Sequence, residues 1–162
     1  MSIQYQYFPK DEVIPPHLSS VVDVFRKHES QIDSNTFRHR SNTVLKMVSS
    51  DMIGIGYEVE TGKSFDKKIR IPIGPNQYVE PDGIHRKTNT ILEVEAGRAL
   101  ANNQYSRDLE KAMCIGNTYL VIAVRNIYGK SKDFERVVNN IDNLYINNCV
   151  QHRVNGVLII GY

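Results

Sequence analysis

Three acidic residues stand in a pattern that could do chemistry together: Asp82, Glu93 and Glu95. Glu93 and Glu95 are two apart in the apolar run Ile91-Leu92-Glu93-Val94-Glu95-Ala96. In a strand both would leave one face, while Leu92, Val94 and Ala96 take the other. Asp82 lies upstream, in Tyr78-Val79-Glu80-Pro81-Asp82-Gly83-Ile84. A short hairpin between 82 and 93 sets it beside Glu93. Bare carboxylates at one spot repel, and at least one pKa must rise. A divalent cation removes that cost, and oxygen-only ligands select Mg²⁺ or Mn²⁺. Paired glutamates on a strand are more often a solvated face. Two features weigh against that here: the apolar neighbours, and an Asp-Gly one hairpin away.

Such a hairpin needs elements to hold it. Pro15-Pro16 ends a stretch, 1–17, that reads as an irregular arm. Leu18, Val21, Val22, Phe25 and Ile32 have helical spacing, which predicts a helix at about 17–33. A polar, basic loop follows to residue 40. Ser41 is a candidate N-cap for a second helix carrying Val44, Leu45, Val48 and Met52. Ile69, Ile71 and Ile73 alternate with polar residues or proline, and Gly74-Pro75-Asn76 reads as a turn. Together with Tyr78–Arg86 and Thr90–Ala96 they predict a three-stranded antiparallel meander over 69–96. A helix from Asn102 carries Tyr105, Leu109, Ala112 and Met113 on one stripe. Tyr119–Val124 is apolar without alternation, as a strand covered on both faces must be. A helix from Ser131 and a strand at Val157–Ile160 complete the order α-α-β-β-β-α-β-α-β. The expected fold is α/β, a mixed sheet with helices on both faces.

Composition bounds the function. The chain has 162 residues, enough for one domain, and 20 Lys+Arg against 18 Asp+Glu give a net charge of +2. A protein that coats DNA by charge alone would be far more basic, so any nucleic acid must meet a local patch. Cys114 and Cys149 stand alone, without metal-ligand spacing, which fits a reducing, cytoplasmic setting. No apolar run nears 18 residues, and no membrane partner is expected. The five histidines form no HxH or HExxH pattern, and no phosphate-binding or dinucleotide fingerprint occurs.

Several cations could meet a phosphate. Arg98 follows the acidic pair directly; pairing with a carboxylate is an equal alternative. Gln104 and Lys111 are seven apart and share a helix face. Lys111 could reach the acidic site, although a solvated face is the commoner reading. Arg38, Arg40 and Asn42 sit in a loop whose residue types suit base contacts, as an ordinary linker also would. Arg125 and Lys130 flank a loop at the carboxyl end of the apolar strand, where sites in open α/β sheets lie.

Pro81-Asp82, then Glu93-x-Glu95, within α-β-β-β-α-β, resembles the PD-(D/E)xK superfamily, the restriction-endonuclease-like nucleases. The resemblance covers about residues 41–125, a catalytic core, with 18–40 as an N-terminal helix and basic loop and 126–162 as a C-terminal extension of the sheet. It implies a metal-dependent DNA endonuclease in which Asp82, Glu93 and the Val94 carbonyl hold Mg²⁺ or Mn²⁺. Glu95 stands where the family usually has lysine. Some restriction endonucleases with Glu or Gln there still cleave, and the residue would orient the attacking water or help to hold a second ion. Some relatives add an acid upstream, for which Glu58 and Glu60 are the candidates. The partners implied are DNA and, because a chain this short contacts few base pairs, a second copy in a homodimer. The alternatives are a nuclease of this fold in DNA repair or phage biology, and a DNA-binding or interaction domain that no longer cleaves.

Overall fold

A computed structural model describes residues 3–62, 64, 67–97, 99–100, 102–150 and 153–162. A mixed six-stranded sheet runs through its centre. The elements are β1 (Gln4–Phe8), α1 (Pro16–Lys27), α2 (Glu29–Ile32), α3 (Ser41–Gly54), β2 (Glu58–Val59), β3 (Ile71–Gly74), β4 (Gln77–Val79), β5 (Gly83–His85), β6 (Thr90–Glu95), α4 (Gln104–Ile115), β7 (Thr118–Val124), α5 (Asp133–Ile146) and β8 (Val154–Gly161). The sheet order is β1-β8-β7-β6-β5-β2. β6, β7 and β8 are parallel, joined by the crossover helices α4 and α5. β1, β5 and β2 pair antiparallel at the flanks.

Strand parity sorts the side chains into two cores. Leu92, Val94, Val121, Ala123, Leu158 and Ile160 pack with Leu18, Val22, Phe25, Val44, Val48 and Met52 from α1 and α3. Ile91, Leu120, Ile122, Val157 and Ile159 meet Leu109 and Ala112 of α4 and Val137, Ile141 and Tyr145 of α5. Each fully buried aliphatic side chain contributes about 1.5–3 kcal/mol relative to exposure. The even and odd positions of β6 thus serve different layers. Glu93 and Glu95 share the face that carries Ile91, the one covered by α4 and α5.

Local chemistry explains the element ends. Pro16 opens α1, where a missing N–H costs nothing, and Arg26 and Lys27 complement the negative end of its dipole. Asp133 and Glu135 do the converse in the first turn of α5. Gly116 ends α4 in a positive-φ conformation that a Cβ would strain.

Three expectations are corrected. Residues 1–17 are not wholly irregular: Gln4–Phe8 form β1, an edge strand antiparallel to β8. The meander over 69–96 is not continuous either. β3 and β4 make a separate two-stranded hairpin, and Glu80-Pro81-Asp82 interrupts the strand foreseen at 78–86. Proline removes a ladder donor, so the chain leaves one hairpin and enters another there. The antiparallel trio in the main sheet is β2, β5 and β6. The helix foreseen at 17–33 breaks at His28 into α1 and α2.

Candidate functional site

The β5–β6 hairpin pairs Gly83 with Leu92, which carries Asp82 to the level of Glu93 and Val94. The Asp82 carboxylate accepts a hydrogen bond from the Val94 N–H at 2.8 Å. In an extended strand a residue's N–H and C=O leave the same edge, so the Val94 carbonyl faces Asp82 as well. Behind Asp82, its backbone carbonyl accepts from the Glu60 N–H at 2.8 Å. Gly83 lets the strands close up: a Cβ there would lie 3.3 Å from both the Glu58 carbonyl and the Leu92 side chain.

Helix α4 lies over Glu93. Lys111 donates to Glu93 at 2.8 Å and lies 3.1 Å from Asp108, its neighbour one turn back on the same helix. Gln104 donates to the same Asp108 oxygen at 3.3 Å. Glu93 is 3% exposed and Asp108 fully buried. The second Asp108 oxygen is buried without a hydrogen-bond partner. Glu93 and Asp108 therefore share one ammonium under α4, and Asp82 is close enough to feel its charge.

The electrostatic consequences follow from burial. Loss of water raises the Asp82 pKa to about 6; the Val94 N–H and Lys111 oppose that rise, while Glu60 and Asp108 add to it. Glu93 is also pushed well up, by burial first and then by the Asp108 charge. Asp108 rises by burial despite its bonds to Lys111 and Gln104. Lys111 moves the other way from what burial dictates, because Glu93 and Asp108 hold its ammonium charged.

A second region opens beyond the carboxyl ends of β6 and β7. A cleft of about 1220 Å³ is lined by Arg38, Arg40, Asn42, Glu95, Arg125 and Tyr128, among others. The loop 33–40 is tied there by long-range bonds. The Ser34 hydroxyl donates to the Tyr162 carbonyl and accepts from the Asn126 N–H at 3.1 Å. Arg125, 5% exposed, donates to the His39 carbonyl, and its guanidinium lies 5.1 Å from the Tyr128 ring centroid. The first turn of α3, with Ser41, Asn42 and Thr43, also faces the cleft, so the positive end of a helix dipole adds to the three arginines. At Gly97, with φ +82°, a Cβ would strike the Tyr128 ring at 2.6 Å; glycine keeps this wall close.

The residues singled out in the sequence thus divide. Asp82, Glu93, the Val94 backbone, Gln104 and Lys111 come together with Asp108. Glu95 lines the cleft instead, with Arg38, Arg40, Asn42 and Arg125; its own carbonyl accepts from the Tyr162 hydroxyl at 3.1 Å. Glu58 turns outward to pair bidentately with Arg86, at 2.6 and 2.9 Å, while Glu60 stays beside Asp82. Lys130 is exposed in the turn that follows Tyr128, outside the cleft lining. Arg98 lies outside the described residues. The solvated-face reading of Lys111 is corrected: its side chain is 26% exposed and ion-paired twice. So is that of the paired glutamates, since Glu93 is buried.

Asp108 was missed by sequence reasoning, although a signal existed. It sits four residues after Gln104 and three before Lys111, so a face holding both must hold Asp108 between them.

Among the described residues, no group of three or more His, Cys, Asp or Glu side chains is arranged to hold a metal ion, and no helix is long and apolar enough to cross a membrane. No family model, curated protein or solved structure matches the chain.

Proposed function

We propose that this protein is a metal-dependent DNA endonuclease that hydrolyses phosphodiester bonds. The observation that carries the reading is Asp82, seated on the Val94 N–H beside the buried Glu93. Two carboxylates and a backbone carbonyl meet at one strand edge, next to a cleft lined by arginines.

The donor set suits a hard cation. All candidate ligands are oxygens, the carboxylates outnumber the ammonium, and one Asp108 oxygen has no hydrogen-bond partner. Asp82 and Glu93 would hold Mg²⁺ or Mn²⁺, with the Val94 carbonyl as a third donor. When bound, such an ion lowers the pKa of a water and neutralises phosphate charge.

The chain's own groups supply the rest. Glu95, two residues from Glu93 on the same strand face, would orient a water at the cleft. Arg38, Arg40 and the first turn of α3 draw in the phosphate backbone, and Arg125 braces the loop that carries them. Lys111 fixes the Glu93 carboxylate. The cleft's excess of cations supports a DNA partner for a chain of net charge +2, because the charge is local.

The second reading, a DNA-binding domain that does not cleave, is favoured by the lack of a three-ligand arrangement among the described residues. One experiment separates the two. Supercoiled plasmid is incubated with the protein and Mg²⁺ or Mn²⁺, with a chelator control and with Asp82→Asn alongside. Metal-dependent nicking by the wild type, lost in the variant, supports the endonuclease. Binding without nicking supports the second reading. Equal cutting by both proteins sinks the endonuclease reading, because that activity would belong to a contaminant.

A further inference from the structure

We propose that Lys111 is a built-in stand-in cation: its ammonium occupies the seat between Glu93 and Asp108, and a divalent ion enters by displacing it, gaining Asp108 as an additional ligand. The inference rests on the reading of Asp82 and Glu93 as cation ligands and adds to it both a competitor and a further carboxylate.

The geometry carries this. The ammonium lies 2.8 Å from a Glu93 oxygen and 3.1 Å from an Asp108 oxygen, hydrogen-bond lengths that hold the carboxylates wider apart than the roughly 2.0–2.1 Å Mg²⁺ shell requires. Yet one ammonium leaves the three carboxylates in excess. The second Asp108 oxygen, fully buried and without a hydrogen-bond partner, is the part of the cluster the ammonium does not serve. A buried carboxylate oxygen without a partner is costly, and a divalent ion could satisfy it. The exit for Lys111 exists, because its side chain is already 26% exposed while Glu93 and Asp108 are sealed. Gln104, bonded to Asp108, stays behind to orient that carboxylate when the ammonium leaves.

Mn²⁺ titration of the intact protein by calorimetry, without DNA, tests the proposal. Lys111→Met removes the competing charge with little change of volume and should tighten Mn²⁺ binding at least tenfold. Asp108→Asn should weaken it about tenfold, and Asp82→Asn should weaken it further. Unchanged or weaker binding by a folded Lys111→Met overturns the stand-in role; if Asp82→Asn still abolishes binding, the ligand reading of Asp82 survives that failure. Should Lys111→Met not fold, the wild type decides alone. The side-chain ammonium resonance of Lys111, slowed in exchange by its two ion pairs, should lose that protection as Mg²⁺ saturates the protein. A resonance that Mg²⁺ leaves unchanged overturns the proposal.

Discussion

Glu93 and Glu95 leave the same face of one strand, roughly 6–7 Å apart along it, yet they stand in opposite surroundings. Glu93 is roofed by α4, sealed from water and shares Lys111 with Asp108, with Asp82 alongside. Glu95 stands past the edge of that roof, in an open cleft with three arginines. The first region has too much negative charge for its burial; the second gathers positive charge around a single acid. The difference teaches where each kind of chemistry can occur. Charge differences act most strongly where water is excluded, so the buried cluster is suited to grip a small, dense cation. The open cleft, with Arg38 and Arg40 exposed and screened, is suited to a long polyanion whose affinity adds up over many weak contacts. One strand joins the two, so a phosphate bound in the cleft would lie on the side of the cluster.

The largest effects should separate the two regions by activity. Asp82→Asn and Glu93→Gln are each expected to lower metal-dependent plasmid nicking by more than about 100-fold, since even outer-shell partners of metal ligands cost 10–100-fold. Neither should weaken DNA binding, because each removes a charge that repels phosphate. A gel-shift assay that shows DNA affinity falling in step with nicking would erase the distinction. Next in size come the cleft residues. Arg38→Ala and Arg40→Ala should each weaken DNA binding about threefold to tenfold at low salt and lower the slope of log affinity against log salt by about 1. They should leave Mn²⁺ binding unaltered. A salt slope unmoved by both changes would take the polyanion away from this cleft. Glu95→Lys sharpens the border itself. If Glu95 only orients a water, some nicking survives the change to lysine; if it holds a second ion, the reversed charge silences the protein. Either result is read from the same plasmid assay.

Much of this layout was legible in the sequence because it depends on local period. Strand parity put Glu93 and Glu95 on one face, hairpin length put Asp82 beside Glu93, and the unbroken apolar run 119–124 announced a strand buried on both sides. What stayed hidden is set by distant partners. β1 exists through its pairing with β8, about 150 residues away in sequence, and nothing within Gln4–Phe8 specifies that. The fate of Glu95 depends on where α4 stops covering β6, and the basic loop reaches it through Ser34 bonds to Asn126 and Tyr162. Asp108 is the intermediate case. Its periodicity with Gln104 and Lys111 was local and readable, but an acid on a helix face signals burial only when the strand beneath it supplies another charge.

The smallest effect concerns stability, and it tests the claim that burial dominates at Asp82. The folded pKa, about 6, lies above the unfolded value of 3.8. The folded protein therefore binds the extra proton between those values. The contribution of Asp82 is fully present below pH 3.8, falls as pH rises, and is lost above about 6. A shift of this size corresponds to at most about 3 kcal/mol at 1.36 kcal/mol per unit. Asparagine cannot ionise, and its side-chain oxygen can still accept from the Val94 N–H. Asp82→Asn should therefore be about 1–3 kcal/mol more stable than the wild type at pH 8 and close to equal at pH 3.5. Asp33, Asp51, Glu58 and Glu80, whose pKa values are lowered by their partners, make both proteins less stable in acid; the difference between the two proteins cancels that background. Urea unfolding at the two pH values reads it. A variant that is no more stable at pH 8 would mean that the Val94 bond and the Lys111 charge outweigh desolvation. The acidic cluster would then be a settled part of the fold rather than a site held ionised at a cost to stability.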